Sequence, residues 1–221
     1  MFTKVLIAED FDSINIALIQ TLESMGVKEI EHAKYCDDAL LKAKKAIQDQ
    51  VPFDLLISDL SFETDYRTVS LKSGEELIAA IRKIQPEIPV LVYTVEDKSF
   101  VIKSLVEDVK INAFVHKGRN SISQLKTAME TILFGGNFIS QNLAHALKDT
   151  NFNEIEDYDV EILSHLAKGV TIEEMEQLFK LKDIKPNSKS YIEKRVSKLK
   201  DIFKAKTTIH LISLSKDLGI I

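Results

Sequence analysis

The stretch Phe53-Asp54-Leu55-Leu56-Ile57-Ser58-Asp59 joins a short apolar run to a carboxylate, as expected of a buried strand that opens into a polar crevice. Upstream, Lys4-Val-Leu-Ile-Ala8 is a similar run and meets Glu9-Asp10. Downstream, Val90–Tyr93 runs into Thr94, and Ala113–His116 runs into Lys117. A further extended piece, Val27–Ala33, is polar enough for a sheet edge. Between these pieces the apolar spacing becomes helical. Residues 12–25 place Ile14, Ile16, Ala17, Leu18, Ile19, Leu22 and Met25 on roughly one face, and Gly26 stands where a C-terminal cap belongs. Residues 37–48, 74–84, 98–107 and 121–134 also read as helices, with Pro52, Pro86 and Pro89 as breaks between elements. Five strands alternating strictly with five helices predict a doubly wound α/β domain. Its five-stranded sheet is parallel, with right-handed crossovers and helices on both faces.

In such a sheet, ligands bind at the carboxyl ends of the strands. Glu9-Asp10, Asp59, Thr94 and Lys117 all stand at those ends. A lone acidic residue at a strand end is more often a helix cap, but four polar groups at one edge are a site. Clustered carboxylates repel one another, and a hard divalent cation such as Mg²⁺ resolves the repulsion with oxygen ligands. A lysine and a hydroxyl opposite the carboxylates can bind phosphoryl oxygens. The arrangement predicts phosphoryl chemistry on an aspartate, with Asp59 as nucleophile and Lys117 as counter-ion.

As a set, Glu9-Asp10, Asp59, Thr94 and Lys117 resemble the active site of receiver domains in two-component response regulators, over residues 1–134. The resemblance implies strand order 2-1-3-4-5 and phosphorylation of Asp59 by a sensor histidine kinase. It implies Mg²⁺ ligation by Asp10, by Glu9 through water, by Asp59 and by the Ser61 carbonyl. Thr94 would move to the phosphoryl group, and Phe114 matches the aromatic that turns inward on activation. Three positions depart from the pattern. Val95 replaces a small residue after Thr94, Gly118 replaces a proline after Lys117, and Gly74 lies 15 residues after Asp59 instead of about eight. The intervening Phe62–Ser73 is therefore a longer polar loop. It reads as a lid, a partner surface or, preferably, a tolerated insertion.

Beyond residue 157 no strand pattern recurs. Residues 158–168, 171–180, 188–204 and 207–218 read as helices, and 135–156 as a linker containing one short helix. Charge changes along the chain as well. Residues 1–179 carry a net −12 and residues 180–206 a net +7, within a whole-chain charge of −5. A basic segment on an acidic body suggests a polyanion-binding element, although a lysine-rich solvated helix would read the same. The stretch Tyr158–Gly169 and the stretch Ser188–Phe203 resemble the first helix and the recognition helix of the NarL/LuxR-type helix-turn-helix domain, giving a small all-α unit over 157–221. In the latter, Ile192, Val196, Leu199 and Phe203 form one apolar stripe. Ser188 is placed to cap the helix, and Lys189, Lys194, Lys198 and Lys200 lie off the stripe toward a groove and its phosphates, with Tyr191 beside them. Here too the sequence departs from the pattern: the connection from Leu181 to Ile192 is longer, Glu176 stands in place of an alanine, and Glu193 sits at the front of the recognition helix.

The resemblances imply a cytoplasmic transcriptional response regulator that dimerises on phosphorylation. It would not be an enzyme beyond its own phosphorylation and dephosphorylation. The competing readings are a signalling adaptor, in which the C-terminal domain binds protein, and an aspartyl phosphohydrolase, which Ser61 disfavours because no acid–base group stands two residues after Asp59. Other classes find no support. Apolar runs are far shorter than the ~20 residues needed to span a bilayer. The early Glu9-Asp10 does not suit a secretory signal, and Cys36, the one cysteine in 221 residues, suits a reducing compartment. The five histidines show no metal-ligand spacing and read as packing or surface residues.

Overall fold

The computed structural model describes residues 1–63, 65–141, 143 and 154–221. The chain divides into two compact units, one containing the sheet and one containing the C-terminal helices. Along residues 4–133, strands and helices alternate as β1 (Lys4–Ala8), α1 (Asp12–Ser24), β2 (Glu29–Ala33), α2 (Cys36–Gln48), β3 (Leu55–Ser58), α3 (Gly74–Ile84), β4 (Val90–Thr94), α4 (Ser99–Glu107), β5 (Ala113–His116) and α5 (Ser121–Leu133). Every strand pair is parallel, in the order β2-β1-β3-β4-β5.

One element corrects the five-stranded expectation. Phe138–Ile139 forms β6, which adds to the free edge of β5 with Ala113 opposite Phe138 and Phe114 opposite Ile139. Part of the expected linker is therefore sheet. Much of the span 135–156 in which a short helix is expected, residues 142 and 144–153, lies outside the described residues.

The alternation of side chains along each strand sorts the core into two layers. Val5, Ile7, Leu55, Ile57, Leu91, Tyr93, Ala113 and Val115 pack under α1 and α5. Their neighbours Leu6, Leu56, Val92 and Phe114 are buried on the other face, where Ala39, Leu77, Ile78 and Ile102 of α2–α4 are also buried. Each fully buried Leu, Ile or Phe contributes about 1.5–3 kcal/mol. These continuous apolar strands offset the cost of burying carboxylates at their ends. The expected face of α1 holds except at Ile16, which is exposed, while Asn15 is buried in its stead. Gly26 and Gly135 follow α1 and α5 with φ of +83° and +75°, which ends each helix in the left-handed region that glycine adopts without strain.

The second unit holds α6 (Asp157–Ala167), α7 (Ile172–Leu181), α8 (Lys189–Ile202) and α9 (Thr208–Asp217). Its core comprises Ile162, Leu163, Met175, Phe179, Ile192, Val196, Leu199, Leu211 and Ile220. Thr171, Ser188 and Thr207 cap their helices, each hydroxyl accepting a backbone N–H three residues on. No helix among the described residues is long and apolar enough to cross a membrane.

Candidate phosphoacceptor site

Parallel pairing of β1 with β3 places Ala8 opposite Ser58, so Glu9-Asp10 and Asp59 leave the sheet side by side. The Asp59 N–H donates to the Ala8 carbonyl at 2.9 Å and fixes this register. Carboxylate oxygens of Glu9, Asp10 and Asp59 lie within 4.8 Å of one another. From β5, Lys117 reaches across β4, its backbone N–H held by the Thr94 carbonyl at 2.6 Å. Its Nζ donates to Asp59 Oδ2 at 2.5 Å and to Glu9 Oε2 at 2.7 Å.

The electrostatics are those of a buried cluster. Burial pushes the Glu9 carboxyl above its ordinary value, and the nearby Lys117 only partly offsets this. Burial opposes the charge on Lys117 as well, but hydrogen bonds and charge from Asp59 and Glu9 prevail and its pKa stands above that of a free lysine. Oδ1 of Asp59 accepts the backbone N–H of Leu60 at 2.6 Å and of Ser61 at 3.3 Å, which fixes the carboxylate rotamer. Asp10 Oδ2 accepts the Glu63 N–H at 2.7 Å, whereas Asp10 Oδ1 is buried without a partner among the described residues. An orphaned carboxylate oxygen beside two further carboxylates is a donor set that fits a hard divalent cation.

Thr94 and Phe114 are fully buried, and the Thr94 hydroxyl accepts the Glu96 N–H at 3.3 Å. The cluster opens into a cleft of about 360 Å³ lined by Phe11, Ile14, Ser61, Phe62 and Val95 in addition to the charged groups. Val95 stands at the rim and is 63% exposed, so its bulk borders the cleft without covering Asp59.

Several supporting residues escape sequence reading. Asn15 Nδ2 donates to the Glu9 carbonyl, and His32 Nε2 lies 2.9 Å from the same oxygen. Buried Ser140, just past β6, accepts the His116 N–H at 2.9 Å and donates its hydroxyl proton to Gln124. A polar residue four positions into α1 was the available signal for Asn15. Nothing local marks His32 or Ser140.

On α8 the expected groove residues have mixed surroundings. The Ser188 hydroxyl is used as the helix cap. Tyr191 is exposed and packs edge-on to Tyr158, 6.0 Å between ring centres. Lys189 is paired with Glu173 and approaches Glu193, and Lys198 lies 3.7 Å from Glu154. Lys194 and Lys200 take part in no ion pair among the described residues, Lys194 exposed and Lys200 half-buried. Arg195 turns inward and forks onto fully buried Asp159 at 2.5 and 2.6 Å.

The parallel sheet thus carries an acidic cluster and a lysine together at its carboxyl edge. Residues 5–130 match the family model of the response regulator receiver domain, and the chain belongs to that family. No curated protein matches the chain. Among solved structures, the response regulator RcsB in complex with DNA is 18% identical, with a TM-score of 0.66 over 98% of this chain and 99% of that one. RcsB from Salmonella enterica serovar Typhimurium, bound to a promoter in the presence of a phosphomimetic, is 17% identical with a TM-score of 0.64 over the same shares. The non-phosphorylated receiver domain of RcsB from Escherichia coli is 21% identical, with a TM-score of 0.52 over 63% of this chain and 98% of that one. At these identities the likeness is one of fold, extending through both units of the chain.

Proposed function

We propose that the chain is a two-component response regulator in which Asp59 accepts a phosphoryl group from a sensor histidine kinase and the C-terminal helices bind DNA to regulate transcription. Residues 1–134 receive the signal and residues 157–221 deliver it. The observation that carries this reading is the convergence of Glu9, Asp10, Asp59 and Lys117 at one sheet edge in a member of the receiver family.

An Asp59 carboxylate oxygen attacks phosphorus, the bond from phosphorus to the donor imidazole breaks, and its electron pair leaves on nitrogen. The product is an acyl phosphate on Asp59. The N–H groups of Leu60 and Ser61 orient the nucleophile throughout. Lys117, paired with Asp59 beforehand, turns to the new phosphoryl oxygens, so its positive charge stays in the site. Asp10, Asp59, the Ser61 carbonyl and, through water, Glu9 would hold Mg²⁺, which would supply neutralising charge. Thr94 shifts toward the phosphoryl group, and Phe114 follows into the space it leaves. The chain is a phosphoacceptor, catalysing at most its own phosphorylation and dephosphorylation.

The output reading draws on the basic segment and on the RcsB fold, whose structures include dimers bound to DNA. Ser188, Lys189, Tyr191, Lys194, Lys198 and Lys200 form the DNA-facing set, presented twice when phosphorylation favours a homodimer. A second reading, a protein-binding adaptor, is favoured by the carboxylates that occupy Lys189 and Lys198. Incubation with acetyl phosphate and Mg²⁺ tests the receiver reading. Wild type becomes labelled and Asp59→Asn does not; label retained in the variant overturns the assignment. Retention on nonspecific DNA at low salt, lost in a Lys194→Glu/Lys198→Glu double variant, separates DNA binding from the adaptor.

A further inference from the structure

The segment between Asp59 and Gly74 is longer than the receiver pattern, and its described residues are tied down at both sides. Near the site, the Glu63 N–H donates to Asp10 Oδ2 at 2.7 Å. Away from it, Arg67 forks onto Asp38 at 2.9 and 2.6 Å, and its guanidinium lies 4.3 Å from the centre of the Tyr35 ring. The Tyr35 hydroxyl donates to Asp65 at 2.5 Å, and Asp37 accepts the N–H groups of Ser70 and Leu71. Through its described residues this strap meets both the first turn of α2 and the acidic pocket.

We infer that this strap positions Asp10 for its divalent cation, latched by the Arg67–Asp38 pair. The inference rests on the metal reading proposed above. A carboxylate free to rotate loses rotamer freedom when it ligates, whereas one oxygen already held by an N–H leaves the other aimed. Oδ1 of Asp10 is that other oxygen, buried and without a partner among the described residues. The Glu63 N–H is neutral, so it orients Asp10 without competing for the charge the cation needs. Arg67 touches no ligand and acts as a positioning residue. Its fork suits the task, since bidentate guanidinium–carboxylate pairs fix direction as well as distance.

The test is Mn²⁺ binding to the full chain, read from the electron paramagnetic resonance of free Mn²⁺. Opening a half-exposed pair weakens affinity about fivefold, so Arg67→Ala and Asp38→Ala each raise the Kd by that factor. The double variant raises it by no more than either single one, because a single latch is broken. Circular dichroism checks that each variant is folded. Wild-type affinity in folded Arg67→Ala and Asp38→Ala overturns the strap and leaves the metal site standing, as do fully multiplicative effects in the double variant. A wild type that binds no Mn²⁺ overturns the metal reading and the strap together.

Discussion

A Cβ placed on Gly74 would lie 1.8 Å from the carbonyl oxygen of Asp59. The start of α3 therefore passes so close to the end of β3 at Asp59 that only hydrogen fits, and the Gly74 N–H donates to the Leu60 carbonyl at 2.9 Å across the same gap. Gly74→Ala is expected to move Asp59 and to cost about 1–3 kcal/mol, as overpacking does. Chemical denaturation measures the loss, and the labelling rate with acetyl phosphate falls with it. An alanine variant as stable and as readily labelled as wild type would contradict the close approach.

Lys117 holds two of the carboxylates that the proposed cation would use. Removing it leaves Glu9 and Asp59 buried without their ammonium partner. Lys117→Ala is expected to bind Mn²⁺ severalfold more tightly than wild type while accepting phosphate more slowly. Calorimetric titration and labelling separate the two effects. Weaker Mn²⁺ binding in the variant would show that the lysine organises the carboxylates instead of occupying them.

Asp159 and Arg195 hold α6 to α8, and Asp159 is fully buried. Asp159 pushes the Arg195 guanidinium further above its already high pKa. Asp159→Ala leaves that guanidinium only the Glu156 carboxylate at 3.4 Å and the Glu154 carbonyl, removes the acceptor of the Glu156 N–H, and is expected to destabilise the C-terminal unit by about 1–3 kcal/mol. Replacing both by apolar residues is expected to recover most of the loss. Thermal unfolding of the single and double variants reads both outcomes.

Asp54 carries the pH dependence of the N-terminal strand. Partial burial opposes its charge, but the Thr3 hydroxyl and the N–H groups of Thr3 and Lys4 donate to it and hold its pKa below 3.8. A depressed folded-state value stabilises the protein above the unfolded value and is lost as pH falls through the folded one. Asp54→Asn is therefore expected to cost about 1–2 kcal/mol at neutral pH, with the gap to wild type closing below pH 3.8. A gap independent of pH would assign the loss to packing.

Strand-end chemistry is written locally, which is why the sequence alone brings Glu9, Asp10, Asp59, Thr94 and Lys117 to one edge. Each follows an apolar run too short for a helix, and parallel alternation does the rest. Long-range pairings leave no such mark. Phe138-Ile139 is two apolar residues among asparagines and becomes a strand only because β5 offers an open edge. Asp37 and Asp38 look like ordinary first-turn helix acids until Arg67 and the amides of Ser70 and Leu71 meet them. On α8, spacing identifies the buried stripe of Ile192, Val196 and Leu199 correctly. It cannot tell that Arg195 points into the domain while Lys194 points out, since their difference lies in Asp159 on another helix.

The placement of β6 also bears on aggregation. An open strand edge is a template on which another chain can add. At one rim of this sheet, β5 is covered by a two-residue strand too short to template anything in turn. At the other rim, β2 carries Glu29 and Glu31, with Lys4 and Lys42 close by, so an incoming strand would have to strip water from charges. Both borders are thus poor seeds for cross-β growth, which leaves helical surfaces as the places where another molecule can dock without seeding fibrils.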